Sequence, residues 1–173
     1  DATQKQAVEA YARFFPQDPP GVQGLHLVSD CGFTLPTTWF AEAATKAGSQ
    51  VWMYRADYEV DDRLRAMHAA DLPFFFARPH SPAGAELIGP TTPENTALRD
   101  RLTKDMAGAL LAFIKDGKPA APGLPDWPCY DRSGGQTMIF GPESALASHP
   151  LGPRKAFWES TLLARFTGQN KRT

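Results

Sequence analysis

Four histidines and two cysteines are the side chains here best suited to move a proton or attack a carbon near neutral pH. One histidine stands out by its setting: His68 lies in RAMHAADLPFFFARPH, Arg65 to His80, just past the strand-like run VWMYRADY. A histidine on a loop anchored by a strand suits a general base, because the strand steadies a loop that can bring the imidazole to a nucleophile held elsewhere. A plain loop histidine fits the same local sequence, and spacing alone leaves both readings open. Asp71, three residues on, reads either as a carboxylate supporting the histidine or as a local helix cap. Of Phe74, Phe75 and Phe76, at least two are expected to pack beneath the loop. His80 and His149 each adjoin a proline and read as solvated loop residues; His26, between Leu25 and Leu27, reads as packed or hydrogen-bonded. Asp57, Asp61 and Asp62 read as a solvated loop.

No complete active site is written in these 173 residues. None of the serines has glycine two residues before and after, as the strained turn of a nucleophile elbow requires. G-x-G-x-x-G, a phosphate loop and H-E-x-x-H are all absent. Cys31 and Cys129 are too few and too far apart for a disulfide framework or a zinc site, so both are expected to be free, buried thiols.

The elements that must position His68 are mostly helical. The run TQKQAVEAYARFF from Thr3 predicts a helix with Val8, Tyr11, Ala12 and Phe15 on one face, stopped by Pro16. LHLVSDCGF reads as mixed, and LPTTWFAEAATKAG as a helix with Trp39, Phe40 and Ala43 inward and Gly48 at its end. VWMYR is the best strand, its large residues implying burial on both faces. A long loop from Asp57 through Pro93 follows, with a turn of helix at DLPFFF. The clearest helix is TPENTALRDRLTKDMAGALLAFIKDG, with Thr92 as cap, Pro93 at its first position, Gly117 and Pro119 at its end, and a stripe of Leu98, Leu102, Met106, Leu110 and Phe113 or Ile114. TMIF reads as a second strand, and a terminal helix places Phe157, Trp158, Leu162 and Phe166 inward. Two strands make a poor sheet, so these helices are expected to cover a surface supplied by a larger fold.

Charge bounds the partners. Eighteen basic residues balance nineteen acidic ones, with no long run of like charge, which argues against nucleic acid and membrane surfaces. No window approaches the roughly 18 apolar residues of a membrane span, and DATQKQ lacks the regions of a signal peptide. A cytoplasmic protein, or one secreted or periplasmic after removal of a signal, is expected.

Six pieces in order, LVSDCGFTLPTTWFAEA, VWMYRADY, MHAADLPFFF, LRDRLTKDMAGALLAFIKDGKP, WPCYD and RKAFWES, resemble the C-terminal third of the type-B carboxylesterases, the cholinesterase-like branch of the α/β-hydrolases. The signal is strongest at H-x-x-[DE]-[LI]-x-[FY]-x-F and W-P-x-Y. The resemblance implies that residues 1–173 form the C-terminal segment of one α/β-hydrolase domain, mostly helices with a few strands of a larger central sheet. It also implies a carboxylic ester hydrolase in which His68 is the histidine of a Ser-His-acid triad, no metal or cofactor is required, and Phe74, Phe75 and Phe76, the first two foremost, are candidates to line the ester pocket. Serine, acid and oxyanion loop would then come from an upstream segment, and the isolated chain is expected to be inactive. The other reading of the resemblance is a non-catalytic relative used for adhesion or binding. Leu35 stands before Pro36 where cholinesterases often carry a cysteine, and Lys155 stands near its usual partner, so that disulfide is lost and a bacterial type is favoured. The glycine that often follows the family histidine is Ala69 here.

Overall fold

The computed structural model describes residues 2–62 and 65–163. It divides into two compact units, one formed by the residues up to Ala43 together with those from His149 on, the other by Ala44–Ser148.

In the first unit, helix α1 (Ala2–Phe14) ends just before Pro16, which has no N–H to continue the ladder. Its buried face is Ala7, Ala10 and Tyr11, while Val8 is 59% exposed. The expected stripe is therefore rotated by about one residue, because small alanines, which periodicity barely registers, supply the contact. Helix α2 (Pro20–Ser29) opens on a proline at its first turn and runs through a π-helical turn (Asp30–Thr34) into α3 (Leu35–Lys46). The widened turn explains how the helix passes Pro36: extra space relieves the clash between the proline ring and the carbonyl one turn back. What read as a mixed segment and a separate helix is thus continuous. In α3 the buried residues are Leu35, Thr38 and Ala41; Trp39 is half-buried, and Phe40 and Ala43 are exposed rather than inward. Cys31 lies exposed on the π turn instead of buried, and Cys129 is half-buried; both are free thiols.

Helix α7 (Pro153–Trp158) and a second π turn (Glu159–Leu163) complete this unit. Trp158 is buried and packs with Ala7, Tyr11, Leu35 and Leu151, while Phe157 is half-buried. Leu35 thus fills with hydrocarbon the place where the resemblance leads one to look for a cysteine. The predicted inward positions of Phe166 and of the Leu162 side chain lie outside the described residues.

The second unit carries a three-stranded sheet in the order β1 (Met53–Ala56), β2 (Gln136–Phe140), β3 (Ala145–Ser148). Strands β1 and β2 are parallel, with Tyr54 opposite Met138; β2 and β3 are antiparallel. β1 is an edge strand with Tyr54 39% exposed, so the burial on both faces that its composition implied is not met within this chain. β3 went unread because ALAS carries neither β-branched nor aromatic residues. The stretch after Asp57 is less open than expected. It contains α4 (Leu72–Phe75) and α5 (Pro82–Ile88), the latter capped by the Ser81 hydroxyl, which accepts from the Gly84 N–H at 3.0 Å. A Cβ at residue 84 would lie 2.4 Å from the Arg78 carbonyl oxygen, so only glycine allows α5 to lie this close to that loop.

Helix α6 (Pro93–Asp116) matches its expected bounds, with the Thr92 N–H donating to Asn95 Oδ1 at 2.9 Å and Gly117 in the left-handed region at φ +72°. Its buried face is Arg99, Leu102, Asp105, Met106 and Ala109. Two charged residues thus share the core face, whereas of Phe113 and Ile114, one of which is expected inward, the first is 43% exposed and the second 70%. No described helix is long and apolar enough to cross a membrane.

Candidate functional site

His68 sits in a pair of tight turns between β1 and α4, with its side chain exposed. The Ala70 N–H donates to the Met67 carbonyl and the Leu72 N–H to the Ala69 carbonyl, each at 3.2 Å. Ala69 adopts φ +65°, the left-handed region where a Cβ costs about 1 kcal/mol and glycine costs nothing. The turn therefore keeps a glycine-like conformation even though alanine stands there.

This turn is held from two sides. Ala70 and Phe74 belong to the core, with Phe74 fully buried and its ring 5.1 Å from that of Tyr58. Phe75 is half-buried and meets the Tyr54 ring edge-on at 5.2 Å; Phe76 is 70% exposed. Of the three phenylalanines, then, Phe74 supports the loop from beneath and Phe75 borders it.

The Tyr54 hydroxyl donates to Asp71 Oδ2 at 2.7 Å, tying β1 to the residue that opens α4. Asp71 caps nothing with its side chain; its main-chain carbonyl accepts from the Phe74 and Phe75 N–H groups at 3.1 Å. Partial burial, and secondly the bond to Asp71, raise the Tyr54 phenol above its ordinary pKa, so it stays a neutral donor through the physiological range.

Behind the loop lies Arg99, almost fully buried, which no reading of the helix stripe foresaw. Its Nε donates to the Tyr58 hydroxyl at 2.9 Å, NH1 to the Pro79 carbonyl and Thr91 Oγ1 at 3.3 and 3.2 Å, and NH2 to the Ile88 and Gly89 carbonyls at 2.6 and 3.0 Å. All five N–H donors of the guanidinium thus find oxygens. Because Tyr58 packs on Phe74, this arginine steadies the platform under the histidine turn. A helical spacing that admitted a charged residue beside Leu102 and Met106 would have found it.

Two of the other histidines have partners of their own. His80 is more than a solvated loop residue: Nε2 lies 2.8 Å from Asp100 Oδ1 and Nδ1 3.0 Å from Thr91 Oγ1. His26 is stacked on Phe15 at 3.8 Å and bonded to Asp18 at 2.9 Å, packed and hydrogen-bonded at once. Asp57 is engaged too, accepting from Arg55 through two bonds of 2.6 Å. A shallow depression of about 430 Å³ is lined by Asp57, Tyr58, Glu59, Leu98 and Pro142, and His68 is not on its wall.

A family model described as the carboxylesterase family matches residues 20–158. Carboxylesterase 1C of Rattus norvegicus is 29% identical over 156 residues, covering 86% of this chain and 26% of its own length. Liver carboxylesterase of Sus scrofa is 28% identical over 145 residues, covering 80% and 24%. Phenmedipham hydrolase of Pseudarthrobacter oxydans is 29% identical over 91 residues, covering 53% and 18%. Among solved structures, a carboxylesterase of Geobacillus stearothermophilus superposes with a TM-score of 0.75 at 29% identity, covering 89% of this chain and 31% of its own. An esterase of Clostridium hathewayi, described as able to hydrolyse aliphatic aromatic polyesters, gives 0.63 at 27%, covering 91% and 30%. The chain spans about a quarter of the length of the first curated relatives it matches.

Proposed function

The chain belongs to the carboxylesterase family and carries part of an α/β-hydrolase fold, and from that premise we propose that it is the segment of a serine ester hydrolase that supplies the triad histidine, His68. The observation that carries this reading is the mounting of His68: an exposed imidazole on a tight turn whose flanks are anchored to the core by Phe74 and to β1 by the Tyr54–Asp71 bond. A base must be reachable by a nucleophile brought by another segment, and an exposed side chain on a fixed backbone allows that approach.

In the reaction, His68 takes the proton of the attacking serine hydroxyl as the ester carbonyl becomes tetrahedral, then passes it to the departing alcohol. In deacylation it takes a proton from water and returns it to the serine. The serine, the triad acid and the oxyanion donors belong to the remaining portion of the domain, which is this segment's obligatory partner. Asp71 acts one layer out, lending negative charge to the imidazolium as it forms, and Phe75 borders the pocket for a small-molecule ester.

The test is made in the full-length protein with p-nitrophenyl acetate. His68→Ala is expected to lower turnover by roughly 10³-fold or more with the fold intact, the scale of losing a triad member. A folded variant that keeps near-normal turnover would remove His68 from the mechanism.

A further inference from the structure

We propose that Tyr54 is a positioning residue for the reaction: its hydroxyl fixes the Asp71 carboxylate, and through it the electrostatic support of His68. This rests on the reading of His68 as the base. Asp71 has a helical backbone, φ −79° and ψ −28°, unlike the extended conformation of a capping residue, so its carboxylate is withdrawn from the N–H groups of α4. Without a partner it would sample rotamers in water. The hydroxyl that holds it, at 2.7 Å, comes from a residue 17 positions away in sequence, on a strand. The Tyr54 ring is itself clamped edge-on by Phe75 at 5.2 Å and Phe140 at 6.0 Å, so the donor is aimed by packing rather than by chance.

The chemistry of the donor matters as much as its place. A lysine or arginine there would hold Asp71 equally well and cancel its charge. A phenol orients the carboxylate and leaves its negative charge available to an imidazolium three residues back. Of the described arginines on the same stretches, Arg55 is engaged with Asp57 at 2.6 Å and Arg65 with Glu59 at 3.2 Å. Tyr54 is thus the group that decides where the Asp71 charge sits.

The experiment uses the full-length protein with Tyr54→Phe, Asp71→Asn and the double variant. Each is assayed for kcat and KM on p-nitrophenyl acetate and for the position and width of the His68 imidazole cross-peaks by NMR. Phenylalanine keeps the ring contacts, so the melting temperature of Tyr54→Phe should stay near that of the parent. Both single variants are expected to lower kcat about 10-fold with KM unchanged, the scale of a lost outer-layer hydrogen bond. The double variant should be no worse than either single one. The His68 imidazole cross-peaks should move and broaden in each, because the carboxylate three residues on is no longer held in one place. Unmoved His68 cross-peaks in Tyr54→Phe, or a double variant whose loss is the product of the two, would overturn the proposal. The NMR arm stands even if the protein turns over no ester: the role of His68 is then what has failed, and the hold of Tyr54 on the turn is still read.

Discussion

Arg154, in the unit built from the two ends of the described chain, meets Asp30 through NH1 at 2.8 and 3.1 Å and lies over the Phe15 ring. Arg99, in the unit that carries His68, meets five neutral oxygens and no carboxylate among the described residues. The two arginines satisfy the same physical demand by different means. A buried ion pair neutralises itself, so its two members can in principle be replaced together by hydrocarbon. An unpaired buried guanidinium is stabilised only by dipoles, and here it gathers them from Tyr58, Pro79, Ile88, Gly89 and Thr91. The first device clips two elements together. The second organises a whole loop, and it stands in the unit that carries the His68 turn.

That contrast breaks first at Arg99. Arg99→Met should cost about 4 kcal/mol, since several buried acceptors lose their donors at roughly 1–3 kcal/mol each and water must enter to satisfy them. The check is the urea midpoint of the full-length variant at unchanged slope. A second check is hydrogen exchange of the α5 and early α6 amides, which should speed up most. A loss below about 1 kcal/mol would mean that the dipoles around Arg99 are incidental.

The paired arginine should behave otherwise. Asp30→Leu leaves Arg154 without its countercharge and Tyr11 without the acceptor its hydroxyl meets at 2.5 Å, a loss of roughly 3 kcal/mol. Adding Arg154→Met should regain most of it, because the charge is gone and only the Tyr11 hydroxyl proton remains unplaced. The Tyr11 oxygen keeps its bond from Trp158 Nε1 at 2.9 Å. If the double variant is no better than the single one by urea unfolding, the pair is not self-contained and the distinction between the two units collapses.

These differences were only partly legible in the sequence. Helix α6 could be bounded because its ends are written in local chemistry, Thr92 and Pro93 at one end and Gly117 at the other. Its core face was misread at Arg99 and Asp105, because periodicity counts a charged residue as solvent-facing and has no knowledge of the carbonyls waiting for it. The break expected before Leu35 was absorbed by a π turn, whose geometry has no residue signature of its own. At the candidate site, the motif around His68 was visible and a supporting role for Asp71 was raised, but the donor was not. Tyr54 looked like one more bulky strand residue. Only the return of the loop to β1 brings its hydroxyl to a carboxylate 17 residues on.

The smallest expected effect lies at Lys155, where the resemblance pointed to a lost disulfide. Its Nζ lies 2.9 Å from Glu42 and 2.8 Å from Glu159, joining α3 to the final π turn by charge instead of by a covalent bond. Burial works to lower its pKa, but the hydrogen bonds and charges of the two carboxylates outweigh it and hold the ammonium above its ordinary value. A lysine raised in the folded state stabilises fully below its unfolded pKa of about 10.4 and loses that contribution as pH climbs through the folded value. Lys155→Met should therefore cost under about 1 kcal/mol at pH 7. The gap between parent and variant should close as unfolding is measured at successively higher pH above 10. Tyr11 titrates in the same direction, its phenol raised by burial first and by the Asp30 bond second, so both proteins weaken in alkali and only their difference isolates the lysine. A gap that stays constant from pH 7 to 11 would show that the Lys155 side chain acts here through its hydrocarbon stem, with no net contribution from its charge.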